Sequence, residues 1–189
     1  MKFLTLLLTL TFFSLFSLSA MAADSLKVGD QIPTNLELKD KTSEMQSFDS
    51  LRGDKGLVVF FIRSADWCPY CQVQLLDLRK GGADDIINAG YNITIISYDT
   101  PEALHKFATR YKFDFPMLSD EGSETIKTFG ILDETKEPGS IAHGIPHPTI
   151  YVVSHDKEIQ AILSEESYTR RPEIAEIVTA IESLSLIHI

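Results

Sequence analysis

Cysteine is scarce in this sequence of 189 residues, which contains two, Cys68 and Cys71. Two cysteines are too few for a disulfide-rich miniature scaffold, and a chain of this length can bury a hydrophobic core without covalent cross-links. We therefore expect the two thiols to serve chemistry and not scaffolding.

Positive charge is also in deficit, because 17 Lys and Arg stand against 27 Asp and Glu, a net charge of -10. Such a balance repels phosphate backbones and argues against nucleic acid or an anionic membrane surface as a partner. Internal repeats and low-complexity segments are missing, and the hydrophobic content of 44% is typical of a globular protein. The composition predicts one domain.

Residues 1–22 have the pattern of a secretory signal peptide. A lysine precedes an apolar run over residues 3–18, and Ala20-Met21-Ala22 has the small-x-small form that signal peptidase accepts. The run is shorter than the roughly 20 residues of a spanning helix, so we predict cleavage before Ala23 and no stable membrane insertion afterwards. Residues 23–189 then form an exported domain, most simply in a bacterial periplasm, where a C-x-x-C pair is oxidised unless a reductant reaches it.

Strand and helix signals alternate along the rest of the chain. Residues 57–62 are a continuous apolar run, typical of a strand buried on both faces. Residues 101–111 are predicted to be a helix, with Thr100 as its cap and Pro101 in its first position. Further strands are predicted at 92–98, 115–118, 149–153 and 158–163, and further helices after Cys71, at 83–89, at 123–129 and from about residue 172. This order predicts the α/β class.

The chemistry is concentrated at Cys68-Pro69-Tyr70-Cys71, between a buried strand and a helix. This places the first sulfur at the helix N-terminus, where unpaired N–H groups and the helix dipole stabilise a thiolate. Pro69 suits the first helical position because its φ is already helical. Cys68 is therefore predicted to be the nucleophile, and Cys71, one turn on, the resolving thiol.

Residues around the pair offer further candidates. Asp66 opposes thiolate formation, whereas Arg63 favours it if its side chain turns toward the sulfur. Trp67 serves either as core packing or as a platform beside the sulfur. A purely structural disulfide is disfavoured because a loop of four residues closes little chain entropy. Structural zinc is disfavoured because a second ligand pair is missing.

Two segments, residues 60–71 and 144–150, resemble the active-site segment and the cis-proline loop of thioredoxin-fold redoxins. The resemblance implies a central mixed β-sheet flanked by helices. It also implies that Pro148 is the cis-proline packed against the sulfurs, and that His147 before it faces the thiolate. A cis X-Pro bond costs only about 0.5 to 1 kcal/mol.

Residues 115–120 and 125–130 resemble the peroxiredoxin-like (AhpC/TSA) branch of that superfamily, which implies an extra strand and helix compared with a minimal thioredoxin. The resemblance extends over residues 28–183. The dipeptide Pro69-Tyr70 between the cysteines is similar to that of glutaredoxins, but nothing else resembles their glutathione site.

Three positions depart from these families. True peroxiredoxins have a proline seven and a threonine three positions before the cysteine, where this chain has Phe61 and Ala65. The threonine hydroxyl holds the peroxide, so its loss argues against fast peroxide reduction. Thioredoxins have a buried acid six positions before the first cysteine, where this chain has Ile62, so another group or water must serve Cys71.

Histidines and a late basic segment leave alternatives open. His147 either stabilises the thiolate or caps its loop. His143 and His147, with both cysteines, offer a copper or zinc site, although copper chaperones of this fold use C-x-x-x-C. The segment Tyr168-Thr169-Arg170-Arg171-Pro172 is either a basic patch for an acidic partner or a helix-start loop.

The sequence predicts an exported thiol-disulfide oxidoreductase that acts through Cys68 and Cys71, needs no cofactor or bound metal, and serves antioxidant or redox-homeostasis chemistry. Its partners are an external dithiol reductant and a disulfide or hydroperoxide substrate. The first alternative is a thiol peroxidase, in which Cys68 becomes a sulfenic acid and Cys71 resolves it. The second is a metal chaperone using Cys68, Cys71 and His147.

Overall fold

The computed structural model describes residues 25–33, 36–165, 167 and 169–187. The strands are β1 (Glu37–Asp40), β2 (Met45–Ser47), β3 (Gly56–Phe61), β4 (Tyr91–Ser97), β5 (Met117–Ser119), β6 (Thr149–Ser154) and β7 (Ile159–Ser164). The α-helices are α1 (Phe48–Leu51), α2 (Pro69–Asp77), α3 (Asp84–Asn88), α4 (Pro101–Tyr111), α5 (Glu124–Thr128) and α6 (Ile174–Ile187), and a π-helical turn over Leu78–Gly82 follows α2. The predicted signal peptide, residues 1–22, lies outside the described residues.

The strands form one mixed sheet in the order β2-β1-β5-β4-β3-β6-β7. Strand β4 runs parallel to β3 and β5, whereas β6 is antiparallel to both β3 and β7, and β1 is antiparallel to both β2 and β5. This confirms the predicted α/β class with a central mixed sheet. It also places the end of β3, and thus the active-site segment, in the middle of the sheet.

Side chains of β3 alternate between two hydrophobic clusters, one on each face of the sheet. Val58 and Phe60 point into the cluster that contains both cysteines and buried residues of α2, α3, α4 and α6. Leu57 and Val59 point into the opposite cluster, which includes residues of α1 and α5. The active-site cysteines are therefore part of a packed core and not of a surface loop.

Helix α4 has the bounds that the sequence predicted. The hydroxyl of Thr100 accepts a hydrogen bond from the backbone N–H of Ala103 at 3.3 Å, and Pro101 occupies the first turn. The helix is capped at its C-terminus by Lys112, whose φ of 50° is left-handed. Strand β2 and helix α1 were not predicted. No helix within the described ranges is long and apolar enough to span a membrane.

Candidate active site

Cys68 caps the N-terminus of α2, as predicted. Its sulfur accepts a hydrogen bond from the backbone N–H of Cys71 at 3.3 Å, and Pro69 fills the first helical position. An N-terminal sulfur in this position faces the unpaired N–H groups and the positive end of the helix dipole. The local structure therefore favours a thiolate on Cys68 once the pair is reduced.

Cys68 and Cys71 are joined by a disulfide, with their Cα atoms 5.3 Å apart. Their exposed fractions are 2% and 0%, and both belong to the core cluster that includes Phe60 and Leu75. Burial alone disfavours a charged thiolate, so groups that donate hydrogen bonds or positive charge to the sulfurs decide their reactivity.

Asp99 fastens the loop that precedes the cysteine. Its carboxylate accepts hydrogen bonds from the hydroxyls of Ser64 and Ser97 and from the backbone N–H of Ala65, at 2.7, 2.8 and 2.7 Å. Burial raises the pKa of Asp99 above its ordinary value, while these hydrogen bonds act in the opposite direction. The sequence analysis did not single out this acid, which is the group that positions the loop.

Ser64 extends the same network toward the active site. Its hydroxyl donates to Asp99 and accepts the backbone N–H groups of Asp66 and Trp67, at 2.9 and 3.1 Å. Hydrogen bonds therefore fix the backbone of residues 64–67, which lead from the end of β3 to Cys68.

Trp67 is partly buried against the core cluster that contains both cysteines. Its indole N–H donates to the hydroxyl of Tyr98 at 2.8 Å, and that hydroxyl donates to the carbonyl of Ile141. Burial raises the pKa of Tyr98, so the phenol keeps its proton at neutral pH and can donate it. Trp67 therefore links the active-site segment to the loop before β6.

Arg171 is a second residue that the sequence analysis did not place at the site. Its Nη2 lies 3.8 Å from the sulfur of Cys68 and 3.6 Å from that of Cys71. The late basic segment was considered only as a patch for a partner or as a helix-start loop, because no local pattern connects it with residues about 100 positions earlier. The fold brings this guanidinium onto the two sulfurs.

Tyr70 lies beside a cavity of about 490 Å³ between α2 and the start of α6. Val73 and Gln74 of α2 and Arg171 and Pro172 of the C-terminal segment also line it. Tyr70 and Val73 are 41% and 58% exposed. The cavity offers space for a small substrate next to Arg171, which contacts the disulfide.

Three further residues were predicted to support the cysteines, namely His147, Pro148 and Arg63. His147 is exposed, and its imidazole makes no hydrogen bond within the described part of the chain. Arg63 is buried, 4% exposed, just after β3. The peptide bond before Pro148 is trans, since the described residues contain no cis bond. This corrects the cis geometry implied by the resemblance, and trans is the lower-energy isomer of an X-Pro bond. The roles of His147, Pro148 and Arg63 stay predictions.

The metal-site alternative finds no support in the geometry. No group of three or more His, Cys, Asp or Glu side chains with the spacing of a metal site occurs among the residues described. Cys68 and Cys71 are bonded to each other, and Nδ1 of His143 lies 3.1 Å from the carbonyl of Lys136.

The mixed sheet and a buried cysteine pair at a helix N-terminus define a thioredoxin-fold redox protein. Residues 28–162 match the AhpC/TSA family. The chain belongs to this family, and the predicted fold and enzyme class, a thiol-dependent oxidoreductase, are confirmed.

Curated relatives are peroxiredoxins. Peroxiredoxin Bcp of Escherichia coli K12 is 31% identical over 140 residues, which cover 74% of this chain and 86% of that protein. Chloroplastic peroxiredoxin Q of Populus jackii is 29% identical over 154 residues, which cover 82% of this chain and 68% of that protein.

Solved structures of two proteins superimpose on this chain and share its fold. Peroxidoxin BcpB of Mycobacterium tuberculosis superimposes with a TM-score of 0.67 at 25% identity, covering 86% of this chain and 98% of the other. Peroxiredoxin Q of Xanthomonas campestris superimposes with a TM-score of 0.68 at 19% identity, covering 82% and 97%, and shows the fold alone.

Proposed function

We propose that this protein is a thiol peroxidase that reduces hydroperoxides through Cys68 and regenerates through a Cys68–Cys71 disulfide. The observation that carries the proposal is the bonded cysteine pair at the N-terminus of α2 in a chain of the AhpC/TSA family. The relatives named peroxiredoxins favour this function over general thiol-disulfide exchange, which the sequence analysis had preferred.

In the first step, the Cys68 thiolate attacks the terminal oxygen of the hydroperoxide. The O–O bond breaks, an S–OH bond forms, and the leaving alkoxide or hydroxide takes a proton from water. The sulfur is oxidised by two electrons to a sulfenic acid and the peroxide is reduced. The N–H of Cys71, already directed at the Cys68 sulfur, helps to hold the thiolate for attack.

In the second step, the Cys71 sulfur attacks the sulfenic sulfur of Cys68 and water leaves, with the Cys71 proton completing it. The resulting disulfide is the state that the structure shows. An external dithiol then reduces it by exchange and is itself oxidised to a disulfide. Because Cys68 caps the helix that carries Cys71, the second step needs little rearrangement of the fold.

Thiol-disulfide exchange is the second candidate, and one observation favours it. At Ala65, which is 1% exposed, a methyl group stands where the resemblance places a threonine hydroxyl that holds the peroxide. An exchange enzyme does not need that hydroxyl. The same C-x-x-C pair would attack a substrate disulfide through Cys68, and Cys71 would release the mixed disulfide.

The deciding experiment uses Trp67, the single tryptophan, as a reporter of the neighbouring sulfur. Reduced protein is mixed in a stopped-flow fluorimeter with hydrogen peroxide, with an organic hydroperoxide, or with a small disulfide, and a model thiol gives the unassisted rate. Peroxidase function predicts a hydroperoxide rate orders of magnitude above the model thiol. A hydroperoxide rate equal to the model thiol's, together with fast disulfide exchange, would reject it.

The Cys71→Ser variant gives an independent readout. A peroxidase accumulates the Cys68 sulfenic acid, which dimedone traps as a covalent adduct seen by mass spectrometry, and excess peroxide carries it to the sulfinic acid. An exchange enzyme instead stalls as a mixed disulfide when given a small disulfide and reacts with peroxide no faster than the model thiol. The Cys68→Ser variant is the matched control and should give neither product.

The compartment in which this chemistry takes place is inferred from the sequence of residues 1–22 alone. We propose cleavage before Ala23 and periplasmic function, with a reductant supplied to that compartment, because the two thiols would otherwise stay oxidised there.

A further inference from the structure

Arg171 reaches the reacting sulfurs from a distant part of the chain. Its Nη2 is within 4 Å of both, at 3.8 Å from Cys68 and 3.6 Å from Cys71. These distances place a guanidinium at hydrogen-bonding distance of both atoms of the disulfide. Neither the family match nor the relatives assign a role to this position.

The position of Arg171 is built into the fold. The buried side chain of Gln74 on α2 donates to the carbonyl of Pro172 at 3.3 Å, which fixes the segment beside the disulfide. Helix α6 follows directly, and its Ile177 and Ile181 are buried in the same cluster as the cysteines. The Arg171 Nη1 donates to the carbonyl of Arg170 at 2.5 Å.

Gly82 lets α6 start this close. A Cβ at position 82 would lie 3.0 Å from Cγ2 and 3.2 Å from Cγ1 of Ile174, tighter than ordinary contact. The absence of a side chain therefore allows the first residue of α6 to approach the turn after α2. Arg171 stands three residues before that contact.

We propose that Arg171 stabilises the Cys68 thiolate and so controls how reactive the cysteine pair is and how readily its disulfide is reduced. Burial of the sulfurs penalises the thiolate, and a full positive charge within 4 Å in a site of low dielectric offsets that penalty. The proposal rests on Cys68 being the attacking thiol of the proposed function. It gives Arg171 the task that the sequence analysis considered for His147 and Arg63.

Other charged or titratable groups belong to the elements packed around the site. They are Arg63 and Asp66 after β3, Asp77 on α2, His147 before β6, and Arg170 and Glu173 beside Arg171. Asp66 pairs with Lys106 at 3.5 Å, Asp77 with Lys80 at 3.3 Å and Arg170 with Glu165 at 3.7 Å. The buried Asp99 is engaged by the loop donors described above.

The test titrates a single thiol. In the Cys71→Ser background, thiolate absorbance at 240 nm and the rate of iodoacetamide alkylation are measured against pH, with and without Arg171→Gln. Loss of an opposite charge at this distance shifts a titration by about one unit or more, so at pH values below both midpoints the thiolate fraction should fall about tenfold. The alkylation plateau at high pH should persist, because the thiol is intact and a more basic thiolate is at least as nucleophilic.

Matched variants separate charge from structure. Arg171→Lys should recover most of the wild-type midpoint, since it keeps the charge. Arg170→Gln, one position earlier, should leave the midpoint unchanged. Arg171→Met provides a second neutral variant if Arg171→Gln fails to fold, as checked by thermal unfolding. In the protein with both cysteines, a tenfold loss of thiolate stabilisation should make the disulfide harder to reduce by about 30 mV.

The outcomes distinguish this inference from the proposed function. A folded neutral variant with a wild-type midpoint, or an equal shift in Arg170→Gln, would overturn the role of Arg171 even if peroxide reduction is fast. A shifted midpoint would support that role even if peroxide reduction proves slow, because the titration involves no peroxide.

Discussion

The carboxylate of Asp99 accepts the backbone N–H of Ala65 at 2.7 Å, and this bond joins the end of β4 to the loop that carries the active-site cysteines. The two residues are 34 positions apart in the sequence. Asp99 thus orients the active-site loop by binding the main chain of that loop. In the described structure, it is not among the residues seen to contact the sulfurs.

Replacement of Asp99 by Asn should destabilise the oxidised protein. One of the two terminal atoms of Asn is a donor, so it cannot accept all three hydrogen bonds from Ser64, Ala65 and Ser97. A buried donor left unsatisfied costs about 1 to 3 kcal/mol. Urea unfolding should show a loss of that size with an unchanged slope. The exposed Asp54→Asn variant should change stability by less than about 0.5 kcal/mol, and equal losses in both variants would refute the role of Asp99.

Asp99 should also make stability depend on pH in a defined direction. Burial raises the pKa of this carboxyl above its ordinary value of 3.8, so the folded protein keeps the proton to higher pH than the unfolded chain. The contribution of the protonated Asp99 to the free energy of unfolding is fully present below pH 3.8. It is lost as the pH rises through the raised pKa of this carboxyl in the folded state. The free energy of unfolding of the wild type, minus that of Asp99→Asn, should therefore decrease as the pH is raised over this window.

The subtraction in that experiment removes the effect of Asp120, whose pKa burial also raises. Denaturant unfolding of both proteins between pH 3 and 7 provides the data. A difference that stays constant or grows with pH would show that Asp99 is not the group responsible.

Restoring a hydroxyl at position 65 should favour peroxide chemistry. Ala65→Thr introduces the group that the family resemblance places three residues before the cysteine, and Ala65→Val adds the same volume without a hydroxyl. Both variants should lose about 1 to 3 kcal/mol of stability, because Ala65 is buried in a packed core. Stopped-flow rates should rise with hydrogen peroxide for Ala65→Thr alone and stay equal in the two variants with a small disulfide. Equal peroxide rates in the two variants would show that the hydroxyl gives no help.

Cleavage of the N-terminal segment should occur before Ala23. Expression of the whole chain in a Gram-negative host, followed by mass spectrometry of the periplasmic fraction, should find a protein that begins at this residue. Ala22→Arg should block processing, because signal peptidase requires a small residue at that position. Full-length wild-type protein confined to the cytoplasm would contradict export.

Elements defined by neighbouring residues were predicted well from the sequence. Helix α4 has both its cap and its proline within one turn, and β3 is a continuous apolar run, so local patterns contain the information. The position of Cys68 at a helix N-terminus follows from the same kind of signal. Strand β2 and helix α1 were missed because three and four residues are too few to show a period.

Contacts between distant segments were not predictable in this way. Nothing near Arg171 in the sequence indicates that it meets Cys68, because docking of α6 on the core creates that contact. Asp99 was missed for the same reason, since its partners Ser64 and Ala65 come from another strand end. In contrast, Cys68 and Cys71 are one helical turn apart, so their pairing was predictable from their spacing in the sequence.

Synthesis of the chain delivers the two cysteines and Arg171 at different times. Cys68 and Cys71 are three residues apart, whereas Arg171 follows Cys68 by 103 residues. The ribosome therefore delivers the two thiols well before the guanidinium, and a nascent chain that ends earlier already contains a complete pair able to oxidise. Its cysteines acquire their cationic neighbour only after the segment that carries Arg171 and α6 has emerged and packed, so the pair can oxidise before the site is mature.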